Sequence, residues 1–339
     1  MKRILNLFII ISLVLTLSAN ILSATISHND AGKKTFNFNV DGVMREVVVY
    51  RPAHLPAGKQ TPVVFAFHGT GGSGENFYEE SGWKEKADSE GFMVICPTAL
   101  KYHIFDKTLV KNGQVLNDVH RFVTKWNYFN LYQLLDPAYP DQQLYDDVKF
   151  VQTIVELLKQ NYAVDETRFY VTGFSNGSQF AGRLAVQMSD VFAAFTLCSS
   201  ARPFDEEQAA LTNVYTNAPF QPRPVLQVIG EVDPKLTYAA GIEAFPLDES
   251  AAAPGSWTKE VIINPWLGLL GLPDQYQYTR TAQASIFTFN GQTAPGLIAS
   301  PEYRFAVVKG MKHLYPNGEN FGFDIVDYFW PFMQRYRRS

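Results

Sequence analysis

The chain is poor in cysteine, histidine and positive charge, and each shortage narrows what it can do. Only six histidines occur in 339 residues, with no H-E-x-x-H pair and no cluster, and the two cysteines, Cys96 and Cys198, lie far apart. Metal catalysis therefore has little support. A formal charge of −4 gives no global pull toward nucleic acid or anionic lipid. No internal repeat is present, and no dinucleotide fingerprint opens a helix after the first strands. No cofactor, no metal and no nucleic-acid partner is expected.

The one long apolar run, Ile4 to Leu17, follows Lys2 and Arg3 and gives way at once to Ser18 and Asn20. That layout is a secretory signal peptide, and the run is shorter than the ~20 residues of a membrane-spanning helix. Residues 1–24 are expected to be removed, with Ala19 or Ala24 as the last residue before the cut. No stable membrane insertion and a secreted or periplasmic location follow. The loss takes away two positive charges, Lys2 and Arg3, and changes −4 to −6. Residues 25–339 are long enough for one large α/β domain.

In an exported chain two cysteines first suggest a disulfide. Both, however, end strands that read as buried, with two other strands between them. At ~4.8 Å per strand that spacing exceeds the reach of a bridge, so two buried free thiols are expected.

Asp41-Gly42 joins two strand-like runs, Phe36–Val40 and Met44–Tyr50, as a hairpin. Pro62–Phe67 and Phe92–Cys96 are continuous apolar runs of the kind found in strands covered on both faces. Val148, Val151, Val155 and Leu158 place a helix over residues 147–160, with Asp146 as its cap. Further strands fit Arg168–Thr172, Ala193–Cys198, Val225–Ile229 and Tyr303–Val308, and a last helix fits residues 324–335. The pattern predicts a doubly wound, mostly parallel sheet with helices on both faces and an antiparallel hairpin at the N-terminal edge. Two stretches, about 101–145 and 236–301, are insertions. The first has a hairpin around Asn112-Gly113 and many aromatics. The second has a short apolar helix within Asn264–Pro273, with Asn264 as cap, Pro265 in its first turn and glycine and proline at its end. Such loops build binding surfaces or pack as satellite core.

Gly173-Phe174-Ser175-Asn176-Gly177 lies between a predicted strand and a predicted helix. A tight strand-to-helix turn needs glycine on both sides and projects the serine hydroxyl from the sheet. It also overlaps a glycosylation sequon, Asn176-Gly177-Ser178, which the turn makes unusable. A serine hydroxyl needs a base within hydrogen-bond reach. Five histidines precede Ser175, and only His313 follows it, directly after the strand ending at Val308. In a Ser–acid–His order the acid lies between them on a loop after a strand. Asp233, after Val225–Ile229, fits best, with Glu231 and Asp274 as alternatives. Asn176 supplies one backbone donor for an oxyanion, and Thr70, in the glycine-rich loop Phe67–Gly74, supplies the other. His68 reads as a structural residue positioning that loop.

The "HG" loop at His68-Gly69, the "DDV" helix start at Asp146-Asp147-Val148, the "G-x-S-N-G" elbow, the "G-x-x-D" of Gly230 to Asp233 and the "G-x-x-H-x-x-P" of Gly310 to Pro316 together resemble the polyhydroxybutyrate depolymerase and feruloyl esterase group of α/β-hydrolase enzymes, over residues 62–335. The resemblance implies an α/β-hydrolase fold with Ser175, Asp233 and His313 as a triad. It implies hydrolysis of short- and medium-chain acyl, hydroxycinnamoyl or hydroxyalkanoate esters, small or oligomeric, and a place for Trp126 in the acyl pocket. The chain departs from the group in lacking a cysteine near Trp126 and further disulfides, and in the length of 236–301. Nor is a separate polymer-binding domain evident, which favours soluble esters. A serine peptidase of the prolyl-oligopeptidase kind has the same residue order but calls for a gating domain. A binding protein on a hydrolase fold is the non-enzymatic alternative. Oligomeric state is left open.

Overall fold

In the computed structural model, residues 24–29, 32–201, 216–291 and 301–338 are described. The proposed signal segment, residues 1–24, lies outside these but for Ala24.

The strands are β1 (Thr25–Asn29), β2 (Lys33–Val40), β3 (Val43–Tyr50), β4 (Thr61–Phe67), β5 (Met93–Pro97), β6 (Lys101–Lys111), β7 (Gln114–Thr124), β8 (Val164–Phe174), β9 (Ala194–Cys198), β10 (Val225–Gly230), β11 (Tyr276–Arg280), β12 (Ala284–Asn290) and β13 (Glu302–Val308). Eleven of them form one sheet in the order β1-β2-β3-β5-β4-β8-β9-β10-β13-β12-β11, while β6 and β7 stand apart as a two-stranded sheet. The six strands from β5 to β13 pair in parallel, and the pairings toward both edges are antiparallel.

The helices are α1 (Gly74–Glu80), α2 (Trp83–Glu90), α3 (Asp147–Asn161), α4 (Asn176–Gln187), α5 (Pro234–Ala240), α6 (Asn264–Leu270) and α7 (Ile325–Met333). Even in strands buried on both faces the side chains alternate. Val63, Phe65 and Phe67 join the core beneath α3, α4 and α6, whereas Val64 and Ala66 join the core beneath α1, α2 and α7. Cys96 on β5 and Cys198 on β9 are buried free thiols, separated in the sheet by β4 and β8.

Three local expectations change. Strands β11 and β12 extend the sheet beyond β13, so much of residues 236–301 is sheet edge and the packing above it. Asn264 caps nothing, because a π-helical turn, Thr258–Ile263, runs straight into α6. Its side chain instead donates to Glu260 Oε2 at 2.9 Å. Finally, antiparallel strands flank the parallel core on both sides, because a short hairpin at each end carries the chain back.

The paired aspartates before α3 divide their work. Asp146 Oδ1 accepts from the amides of Val148 and Lys149 and caps the helix. Asp147 is fully buried, and its Oδ1 takes Arg45 Nη2 at 2.6 Å while Oδ2 takes the Asn127 amide at 2.6 Å. Arg45 is equally enclosed and lies over the Phe150 ring at 3.9 Å. Removing one member of a buried ion pair leaves the other charge uncompensated. Asp147→Ala is therefore expected to cost about 3–5 kcal/mol, read as a lower urea midpoint; an unchanged midpoint would refute the pair's role.

Candidate active site

Three side chains converge above the carboxyl ends of the parallel strands, where open α/β sheets hold their ligands. Ser175 follows β8, Asp233 follows β10 and His313 lies on the loop after β13. His313 Nε2 is 2.8 Å from Ser175 Oγ, and His313 Nδ1 is 2.7 Å from Asp233 Oδ2. With Nδ1–H donating to the carboxylate, Nε2 is left as the acceptor for the serine proton.

Each member is fixed by its backbone. Ser175 has φ 52° and ψ −117°, outside the usual regions for a residue with a side chain. The turn is crowded: a Cβ on Gly173 would lie 2.3 Å from Gly177 O, and one on Gly177 would lie 2.2 Å from Phe67 O. Ser175 N–H donates to Cys198 O at 2.9 Å, tying the turn to β9. Asp233 is fully buried and also caps α5, accepting from the amides of Lys235 and Leu236. The base loop passes so close that a Cβ on Gly230 would stand 2.1 Å from Met311 O. Tyr315, two residues past His313, accepts at its hydroxyl from Trp83 Nε1 at 2.8 Å and meets Thr172 Oγ1 at 3.2 Å, joining this loop to β8.

The alternative carboxylates do other work. Glu231 Oε2 accepts from the Gly310 amide at 2.7 Å, and Asp274 pairs with Lys259.

The loop Gly69–Gly72 lies beside Ser175, so close that a Cβ on Gly69 would stand 3.4 Å from Ser175 Cβ. His68 holds it: Nδ1 donates to Gly69 O at 2.7 Å and Nε2 accepts from the Ala99 amide at 3.1 Å. Burial lowers the His68 pKa to about 4, so this ring is neutral at physiological pH. Thr70 and Asn176 both line the cleft with Ser175. Their backbone N–H groups have no acceptor among the described residues.

The sequence gives no hint of the brace that holds this loop, three consecutive residues at the foot of the β6–β7 hairpin. Thr124 O accepts from Gly71 N at 2.8 Å and Thr124 Oγ1 donates to Gly72 O at 2.6 Å. Lys125 Nζ donates to Thr70 Oγ1 at 3.3 Å. Trp126 N donates to Asn176 Oδ1 at 2.7 Å, and its ring Nε1 donates to His68 O at 2.9 Å. One short segment thus fixes both the loop and the residue after Ser175. Asn176, with its amide so engaged, is 2% exposed and closed to glycosylation.

Trp126 is not among the residues that line the cleft beside Ser175. Its ring is wholly buried, stacked on Phe180 at 5.1 Å and edge-on to Phe67. Its polar edge has to find a partner under the loop, and that requirement draws the ring inward. The cleft, about 380 Å³, is walled instead by the hairpin residues Thr108, Leu109 and Val110, and by Tyr128, Leu134 and Leu236. It opens into a hollow of about 710 Å³ beneath the hairpin turn. Asn112 and Gly113, with φ 51° and 77°, form that turn as Asn-Gly does in tight hairpins. Among the described residues of 236–301, Leu236, Tyr238 and Ala239 reach the cleft.

No protein-family model matches the chain. Over 197 residues, 58% of its length, it is 26% identical to a bifunctional acetylxylan esterase/xylanase of Neocallimastix patriciarum and 28% identical to the esterase candidate NocK of Nocardia uniformis subsp. tsuyamanensis. The matches span 22% and 46% of those relatives, less than half of either. Among solved structures, an acetyl xylan esterase from Aspergillus awamori superposes with a TM-score of 0.50 at 14% identity, over 84% of this chain and 93% of that one. The chain has the α/β-hydrolase fold.

Because Trp126 supports the loop from below, Trp126→Phe should leave the His68 carbonyl without its donor and cost about 1–3 kcal/mol. Turnover should fall while the order of acyl-chain preference stays the same. A changed order of preference, measured across acetyl to octanoyl esters, would return this residue to the pocket wall.

Proposed function

We propose that the chain is an exported serine hydrolase of carboxylic esters. The observation that carries this is the unbroken relay from Ser175 Oγ through His313 to Asp233, at 2.8 and 2.7 Å.

In this scheme Ser175 Oγ attacks the ester carbonyl as His313 Nε2 takes its proton. Asp233 holds the imidazole in the Nδ1–H tautomer and stabilises its charged form. The tetrahedral oxyanion sits against the N–H groups of Thr70 and Asn176, each worth about 3 kcal/mol of barrier. His313 returns the proton to the departing alcohol. Water then attacks the acyl-Ser175, giving up its proton to His313, and collapse releases the acid and the free serine.

The cleft receives short and medium acyl chains, with acetyl, hydroxycinnamoyl and hydroxyalkanoate esters as its substrate range. The names of the relatives support the acetyl end of that range, and the partner is a small or oligomeric ester. Export rests on the basic-then-apolar start of the chain.

The test is a panel of acetyl, butyryl, longer acyl and feruloyl esters beside a prolyl amide. Ser175→Ala should lower kcat/KM for the best ester by roughly 10⁴ or more, and Asp233→Asn by a comparable factor with binding little changed. Ester turnover undiminished in Ser175→Ala, or a wild-type enzyme that cleaves only the amide, would sink the esterase assignment.

A further inference from the structure

The whole chain is acidic, at −4, yet among the described residues the walls of the cleft and its adjoining hollow carry Lys111, Arg121, Lys125, Lys235 and Lys312 against one carboxylate, Asp106. That carboxylate is already engaged, since Arg121 Nε donates to its Oδ2 at 2.7 Å. The four lysines form no ion pair among the described residues, and two of them, Lys125 and Lys235, line the same cleft as Ser175. Lys125 is 7% exposed, and its ammonium has one neutral partner, the Thr70 hydroxyl at 3.3 Å. Lys235, on the first turn of α5 behind Asp233, faces the same cleft and forms no ion pair among the described residues.

An enclosed ammonium held by one neutral oxygen is costly, and a second cation at the same cleft adds repulsion. A buried cation whose one nearby carboxylate among the described residues, Asp106, is already paired with Arg121, placed beside a reactive serine, marks a place for an anion from outside. Resting on the esterase assignment, we infer that the substrate carries a carboxylate near its scissile ester bond, received by Lys125 and Lys235. Lys125 touches the side chain of Thr70, whose amide is assigned to the oxyanion, so one residue links recognition of the charged group to the reacting carbonyl. Arg121 and Asp106 neutralise one another and leave the lysines to set the sign of the field. The field also favours encounter with an anionic ester over a neutral one of the same shape.

Burial lowers the Lys125 pKa to about 8. The substrate carboxylate stays ionised well below that pH, so preference for the anionic ester should fade as pH rises through about 8. Comparing charged with neutral esters at each pH cancels every pH effect common to both. The other charged groups around Lys125 are Asp106, Arg121 and Lys235.

The experiment compares matched pairs: 4-acetoxybenzoate with its methyl ester, and the 4-nitrophenyl monoester of adipic acid with its methyl-capped form. One pair puts the charge on the leaving group and the other on the acyl group. Wild type should favour the charged member of at least one pair by about tenfold in kcat/KM. That ratio should collapse toward one in Lys125→Met and in the less buried Lys235→Met, and persist in Lys125→Arg. A wild-type ratio at or below one in both pairs, or an unchanged ratio in both methionine variants, overturns the anion site and leaves the esterase assignment standing. If no ester is cleaved, the esterase assignment fails by itself, and calorimetry with adipate and 4-hydroxybenzoate on Ser175→Ala decides the anion site. Binding lost on adding Lys125→Met upholds it, and absence of binding ends it.

Discussion

The contact on which the site depends is the close approach of helix α4 to the end of β4. Gly177 lies against the carbonyls of Phe67 and His68 with no room for a methyl group. That approach lets the chain turn within one residue from β8 into α4, at the expense of a left-handed φ at Ser175. Strain of about 1–3 kcal/mol at one residue persists only where its surroundings over-determine it. Here they do: Phe180, Ala181 and Leu184 of α4 join the core over Phe65 and Phe67, and Ser175 N–H is held by Cys198 O. A helix even slightly farther from the sheet would relieve the serine and lose the relay.

From this fixed point the remaining groups are reached by short chains of non-covalent contacts. Gly230 and Met311 bring two loops into backbone contact, so Asp233 and His313 arrive as one unit. Tyr315 links that unit to Thr172, three residues before Ser175. His68, buried and neutral, shapes the glycine-rich loop from within. The geometry of the relay therefore rests mostly on backbone contacts and buried hydrogen bonds.

This explains which features the sequence makes legible. Ser175, Asp233 and His313 each follow an apolar strand, and strand ends are visible as the point where a β-branched run meets glycine or a polar turn. The parallel core and the Asn112-Gly113 hairpin are legible for the same local reason. Trp126 was not, because a tryptophan near a reactive segment reads equally well as pocket wall or packing, and only the three-dimensional position of the His68 carbonyl decides. Strands β11 and β12 escaped because β11 is polar and largely exposed, Tyr276 to Arg280, and an edge strand with one covered face gives a weak signal. The burial of Lys125 is likewise a product of tertiary packing; in sequence it is one lysine beside an aromatic. Arg45 lies more than a hundred residues from Asp147, and no local pattern announces their pairing.

The separation of the β6–β7 hairpin from the main sheet frees one of its ends from the other. Its foot, Thr124 to Trp126, is bonded to the machinery of the reaction, whereas its far end closes on its own Asn-Gly turn and shares no ladder with the eleven strands. Lengthening, shortening or recolouring the far end alters what the cleft meets without re-registering any strand beneath the serine. The far end can thus change in length or composition while the backbone contacts around Ser175 keep their register.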